Sequence, residues 1–444
     1  MTIPGRFIGA VATALLLICA APTFAQNATL APKHMKKQPV EVTTVHSFSR
    51  NTILTVKPII NLNETRSPLL VGPSGNASTS SGAGGNIFGL QTLPTFVGAF
   101  APGNGQSLGN VFPFVMIGND PLVGGTTTIP VAMTEVSLQL LNADGTTFAL
   151  VPYAPFSTLT THSPNFANAF YDSSTVGTQF GDAVQRAEFF NTAKTSWHTK
   201  LGAPAIVNNV TITVPKTVQV QLGDGSIITA TAYFSGTAPD GSTFVLMLDL
   251  LFNAFFDNQV VNDINAGNFP TNAINYELFP NTFLYSLNQA NPTTPGSCCV
   301  LGFHTYFFES GVTPQPRWVT IFASYISAGL FGAGFQDITG LSHETAESLN
   351  DPFINNATPS WQFPGQPANS TQCQGNLETG DPVEVLATAT VPINLKVSGK
   401  VVTFHPQTEA LLQWFEMGAS SNAIDGAFSY PDETALTASA VPCP

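Results

Sequence analysis

From residue 111 onward the chain is a succession of short apolar runs cut by turn signals, and this punctuation points to a strand-rich fold. Runs at 111–117, 129–141 and 147–151 are separated by Gly-Asn-Asp-Pro (118–121) and Asn-Ala-Asp-Gly (142–145). Each run has the length of a strand, and Gly, Asn, Asp and Pro supply the backbone conformations that tight turns need. The pattern resumes at 206–214, 218–222, 227–234 and 244–251, then at 299–304 and 318–325. Helical stretches are few. GDAVQRAEFF (181–190), continuing toward His198, has an apolar stripe at helical spacing, and 260–266 is a second candidate. QTEALLQWFE (407–416) reads as a packing helix with Leu411, Leu412, Trp414 and Phe415 as its core. The expected fold class is α+β, a strand-rich body with few helices.

The segment ahead of this body reads differently. Arg6 followed by an almost wholly apolar 7–19 and a small-residue Thr23-Phe-Ala25 has the layout of an export leader, expected over 1–25. Residues 26–110 form an N-terminal extension, with one or two strands within 40–62 and a Gly/Ser-rich connector at 72–86 too poor in apolar residues to pack. The domain expected to carry the function is 111–444. An exported chain meets an oxidising compartment, secreted, periplasmic or at a cell surface. With Cys19 in the leader, four cysteines remain, enough for two disulfides. Adjacent cysteines seldom bond to each other, so Cys298 and Cys299 are expected to bridge separately to Cys373 and Cys443, in either order. A Cys₄ zinc site is the rival, without the paired CxxC spacing that such sites use.

Charge narrows the function. Charged residues make up 9% of the chain, against roughly a quarter in an average soluble protein. The 14 Lys and Arg are scattered and the net charge is −13, so a nucleic-acid partner is excluded by the want of clustered cations. The uncharged run 318–335 has β-branched and aromatic residues at its start and three glycines, and reads as a buried strand plus loop, with no integral membrane span. Neither a phosphate-cradling glycine loop nor a GxSxG elbow is present.

Against that background LSHETAESLNDP (341–352) stands out, with a His, two Glu and an Asp. On a helix over 338–351, at about 100° per residue, Ile338, Leu341, Ala346 and Leu349 share one side and His343, Glu344, Glu347 and Asp351 the other. Pro352 ends the helix at or just before Asp351. A solvated face on an ordinary surface helix explains the same spacing. A metal site explains more of it: His343 and Glu347 stand one turn apart, both able to reach one ion, with Glu344 on the flank as general base. Zinc accepts carboxylate oxygen, so the HExxE variant is chemically sound, whereas His343 argues against calcium. A third ligand is expected from GNLETGDP (375–382), where Glu378 and Asp381 flank a turn, and Asp351 is a candidate to orient a ligand. His304, in a strand just ahead of the motif, reads as a hydrogen-bonded core or edge histidine rather than a cleft residue. Tyr306, Tyr325 and His198 read as structural.

SHETAESLNDP, then Trp361, then GNLETGD resembles a group of exported bacterial zincin-like proteins, whose pattern is approximately SHExxEAxxDP, a Trp and a GxEIGD element. LGFHTY (301–306) and 318–325 also sit where that group has a GYH-like strand and an apolar strand. The likeness covers about 298–385. It implies metal ligation by His343 and Glu347, Glu344 as base, and Glu378 or Asp381 completing the site, on a zincin-like active-site helix within the strand-rich body. This chain departs from the pattern at Pro382, where a Cys is usual nearby, and at Ser348 in place of Ala. Two functions are therefore carried forward. One is an exported zinc metallopeptidase-like protein acting on a peptide or protein substrate. The other is a non-catalytic secreted or surface-associated β-rich binding or structural protein with a degenerate site.

Overall fold

The computed structural model describes residues 59–61 and 93–444, apart from 104–110, 172–175, 310–314, 332–333, 368–369 and 371–372. The expected leader, the connector and the strands within 40–62, except Ile59–Asn61, lie outside the described residues.

Six strands of a seven-stranded sheet position the site: β1 (Val131–Leu141), β2 (Thr147–Val151), β3 (Ala205–Val214), β4 (Ile274–Pro280), β5 (Gly302–Phe308) and β6 (Arg317–Phe331). β3 runs parallel to β1 along nearly its whole length. The other edge of β1 is shared between β4, in parallel, and β2, antiparallel. β4 also pairs in parallel with β6, and β5 closes that edge antiparallel to β6. β4 is buried at every position, as expected of a parallel strand covered on both faces.

Strand alternation decides which side chains meet which helix. Phe322 of β6 and Phe303 of β5, paired in register, point toward α3 (Asp249–Asn265), where Phe252 and Phe256 pack on them and on Phe279. Val319, Ile321 and Ala323 point the other way, onto Ile338, Leu341 and Leu349 of the segment around α4 (Thr339–Asn350). Burial of each such side chain contributes roughly 1.5–3 kcal/mol, so the sheet fixes α4 firmly. α2 (Phe180–Glu188) lies against α4 from outside the sheet, with Gly181 directly under Leu349.

Several expectations are corrected. The 244–251 run ends as a strand at Leu248, and α3 starts at Asp249 because Phe252, Phe255 or Phe256, Val260 and Ile264 recur at helical spacing; only its C-terminal part was expected as helix. Residues 407–416 are not one helix: Glu409–Ala410 pairs with Ser429–Tyr430, which holds the chain extended and leaves only the turn Leu412–Phe415 helical. Folded structure starts ahead of Val111, since Thr95–Phe100 forms a hairpin with Phe112–Ile117. Cys298 bonds to Cys299, and Cys373 to Cys443. The second pair is drawn together because Ala357–Gln362 is flanked by Cys373–Asn376 on one side and the C-terminal tail on the other, through Gln362 N to Val441 O and Cys443 N to Ser360 O. The adjacent pair lies elsewhere, on the strand Pro295–Val300 against Thr282–Leu287. Residues 318–331 lie in β6, and no helix among the described residues is long and apolar enough to cross a membrane.

The α2–α4 contact is polar at its centre. Asn350 Nδ2 and the Leu412 amide both donate to Glu188 Oε1, at 2.9 and 3.2 Å, while Oε2 has no partner among the described residues. Burial pushes the Glu188 carboxyl from 4.5 up to about 8. The folded protein keeps this proton where the unfolded chain loses it, so stability is full below about pH 4.5 and declines as pH rises toward 8. Glu188→Gln keeps the accepting oxygen and cannot ionise. Its melting temperature relative to the parent should rise progressively between pH 5 and pH 9; an offset independent of pH would show that Glu188 is already ionised in the folded protein.

Candidate metal centre

α4 has no solvated face. All twelve of its residues are buried, with His343 8%, Glu344 5% and Glu347 3% exposed. The surface-helix explanation of the motif is thereby overturned, because a buried charge without a partner costs several kcal/mol. The helix stops where Pro352 requires, at Asp351, whose backbone leaves the helical region and whose carboxylate accepts the Asn355 and Asn356 amides.

Three segments supply the partners. The first is β5: His304 pairs in register with Ile321 and so faces α4, with Gly302 and Tyr306 on the same side. A Cβ on Gly302 would meet Glu344 Cγ at 2.7 Å, so glycine is what admits the Glu344 side chain. The second is 377–384, entered from the Cys373–Asn376 strand and ending in the single turn Asp381–Glu384. Its Gly380 amide donates to Glu347 Oε1 at 3.0 Å. The third is 405–410, anchored by the Gln407 amide on Ser342 Oγ at 2.9 Å and by the Ala410 amide on Thr379 O.

These contacts select the tautomer of each imidazole. Gln407 Nε2 donates to Gly380 O at 2.7 Å, which leaves Gln407 Oε1 to accept from His343 Nδ1 at 3.2 Å. His343 Nε2 then opens on Glu347 Oε1 at 3.2 Å, Asp381 Oδ1 at 3.6 Å and Glu344 Oε1 at 3.9 Å. At His304 the Asp351 carbonyl accepts from Nε2 at 3.2 Å, so Nδ1 is the atom that faces Glu344 Oε2 at 3.3 Å and Glu347 Oε2 at 3.4 Å. A ring nitrogen pinned by a carbonyl or amide on one side and aimed at carboxylates on the other is the arrangement of metal-binding histidines.

Between nitrogen and carboxylate a cation is required, either a proton or a metal. Burial alone would lower both imidazoles, but Glu344 and Glu347 overcome it, and both histidines are held well above their ordinary value. Burial would raise Glu347, yet His343 and His304 outweigh it and hold that carboxyl well below its usual range. Asp381 goes the other way, pushed up to about 7 by burial and the Glu347 charge. Glu378 and Glu409 rise well above the ordinary carboxyl value, burial again being the largest cause. A divalent ion suits the same place. Tetrahedral ligands about 2.0–2.2 Å from zinc stand about 3.3–3.6 Å from one another, and His343 Nε2 lies 3.2 and 3.6 Å from Glu347 Oε1 and Asp381 Oδ1. Glu409, wholly buried and close enough to act electrostatically on His343, leaves Oε1 without a partner among the described residues. The donor set of imidazole and carboxylate suits zinc and its transition-metal neighbours.

Two groups among the described residues could hold an ion: the expected His343, Glu344 and Glu347, and the expected Glu347 and Glu378 joined by His304; the expected Asp381 is in neither, its Oδ1 lying 3.6 Å from His343 Nε2. Of the two candidates for a third ligand, Asp381 stands at His343 and Glu378 at the His304 end. Asp351 orients a histidine, through its backbone carbonyl. His304, read as a core histidine, faces the cluster. Gln407 and Glu409 were missed, because 407–416 was read as helix. Tyr325 stacks on Phe156 and Tyr306 packs on Phe353, while His198, expected at the end of a helix, starts the strand His198–Leu201 and bonds Asp182 at 2.7 Å. Comparison of the chain with known protein families, curated proteins and solved structures finds no match.

Gly380 offers a direct test. Its φ of −82° suits any residue, yet an added Cβ would stand 2.4 Å from His343 Nδ1. Gly380→Ala should leave the far-UV spectrum unchanged and weaken metal binding about 10–100-fold, the usual effect of disturbing a ligand's support. Unaltered affinity by metal titration would remove His343 from the ligand set.

Proposed function

We propose that the chain is an exported zinc-dependent hydrolase of the metallopeptidase type, with His343, Glu347 and Asp381 holding the ion and Glu344 as general base. The observation that supports this best is the His343 ring, whose Nδ1 is engaged by Gln407 while Nε2 opens on two carboxylates at 3.2 and 3.6 Å. Glu344 Oε1, at 3.9 Å, is the most distant of the three acids from that nitrogen, as suits a base flanking the ligands. Solvent reaches the cluster from this end: the side chains of Asp381 and His343 are 19% and 11% exposed, against 3% for His304.

Zinc there would supply Lewis acidity toward a scissile carbonyl and acidify water. Glu344 takes the proton of the attacking water as its oxygen adds to the carbonyl carbon, then delivers it to the amine as the carbon–nitrogen bond breaks. Burial raises the Glu344 carboxyl, which favours the proton-holding half of that cycle. His304, 3.3 Å from Glu344 Oε2, keeps the carboxylate oriented between the two steps.

The near-complete burial of Glu344 favours a second reading, in which an ion cross-links α4, β5 and 377–384 in a binding or structural protein. Elemental analysis and a peptidase screen on three proteins separate the two. The parent should carry zinc and cleave peptides. Glu344→Gln should keep the zinc and lose at least about 100-fold in kcat, and His343→Ala/Glu347→Ala should lose the zinc. Full activity in Glu344→Gln ends the proposed mechanism; zinc without activity in the parent leaves the cross-link.

A further inference from the structure

We infer that the acidic cluster under α4 is built for two metal ions, the second held by His304, Glu347 and Glu378. The inference rests on the single-ion reading above and extends it to the His304 end of the cluster.

Glu347 carries the argument. Its two oxygens are divided between two histidines, Oε1 at 3.2 Å from His343 Nε2 and Oε2 at 3.4 Å from His304 Nδ1. A carboxylate offering one oxygen to each of two ions is a natural bridge for two-metal sites, where the ions stand about 3.5–4 Å apart. Were His304 only a core histidine, its ring would satisfy both nitrogens with ordinary donors or acceptors. Instead the Asp351 carbonyl takes Nε2, and Nδ1 is surrounded by carboxylate: Glu347, Glu344 at 3.3 Å, and Glu378 within the same cluster. The two ends repeat one plan, each with an imidazole oriented from behind, a shared Glu347 oxygen, and its own acid from 377–384. Asp381 serves the outer end and Glu378 the inner.

Charge points the same way. Glu344, Glu347, Glu378 and Asp381 face the two imidazoles. With these acids ionised and both rings neutral, one divalent ion leaves buried negative charge in excess, and a second reduces it. The mixed nitrogen and oxygen donors suit a divalent transition ion at both ends.

The test loads the full chain with Zn²⁺ or Mn²⁺, removes free metal and counts bound ions by elemental analysis, with electron paramagnetic resonance on the Mn²⁺ form. The parent should hold two ions per chain with the spectrum of an exchange-coupled pair. His304→Gln, and independently Glu378→Gln in the half-buried loop, should each hold one and show the spectrum of an isolated ion. Circular dichroism certifies that each variant is folded. One ion in the parent, retained in both variants, overturns the second position and leaves the first standing. No ion in any protein overturns both.

Discussion

A helix carrying one histidine and two glutamates lies wholly inside a protein that has few charges to offer as partners. That constraint organises the surrounding structure. Each buried acid on α4 needs a cation or a hydrogen-bond donor within reach, and the chain supplies them from three distant segments. β5 brings His304, 377–384 brings the Gly380 amide together with two further acids, and 405–410 brings Gln407. The sheet closes one side of the helix and α2 another, so water reaches these contacts only from the His343 and Asp381 end. The site and the core are therefore the same structure, and a change that loosens one loosens both.

The loop bearing Asp381 and Glu378 is held from both ends. Upstream, the Cys373–Cys443 disulfide ties the Cys373–Asn376 strand to the C-terminal tail, and Trp361 Nε1 donates to Asn376 O at 3.1 Å. Trp361 is buried and packs on Trp414 and Phe415, so the residues just past Gln407 and Glu409 brace the strand that leads into the acids. Downstream, Thr379 O accepts the Ala410 amide and Gly380 O accepts Gln407 Nε2. The covalent link and the aromatic cluster confine 377–384 to one path, which preorganised ligands require.

How much of this was legible in the sequence follows from the range of the forces involved. Period and turn chemistry are local, so β3 and α4 could be read within a residue or two of both ends and β6 and α2 at their starts, whereas β6 runs further than expected and α2, expected to continue toward His198, stops at Glu188. The pairing of His343 with Glu347 and the flanking place of Glu344 follow from helix geometry alone. The direction of His304 depends on its register against Ile321, and no local pattern records a register. Gln407 and Glu409 were hidden for a related reason: the Leu-Leu-Gln-Trp-Phe run suggests a helix, and only pairing with Ser429–Tyr430 keeps their segment extended. Cysteine count indicated two bridges, but which pairs form depends on tertiary neighbours. One indication was available and underused. In a chain with so few charges, any acid set in an apolar run, as Glu409 is, has to be accounted for.

The two ends of the cluster differ in one respect that matters for chemistry. His343 and Asp381 stand at the partly open side, while His304 is sealed behind Glu344 and Glu347. The same acids can be neutralised by protons or by metal, and burial has raised Asp381 to about 7 and Glu378 well above its ordinary value. A metal ion bound there would compete with protons for the same oxygens, and its affinity would climb with pH as the acids give up their protons. The outer end, where His343 and Asp381 are partly exposed, exchanges protons with solvent more readily. At the other end the His304 ring is sealed, although Glu378 beside it is half-buried. One shared carboxylate thus joins an imidazole near solvent to one sealed from it, and the proposed water chemistry falls to the first.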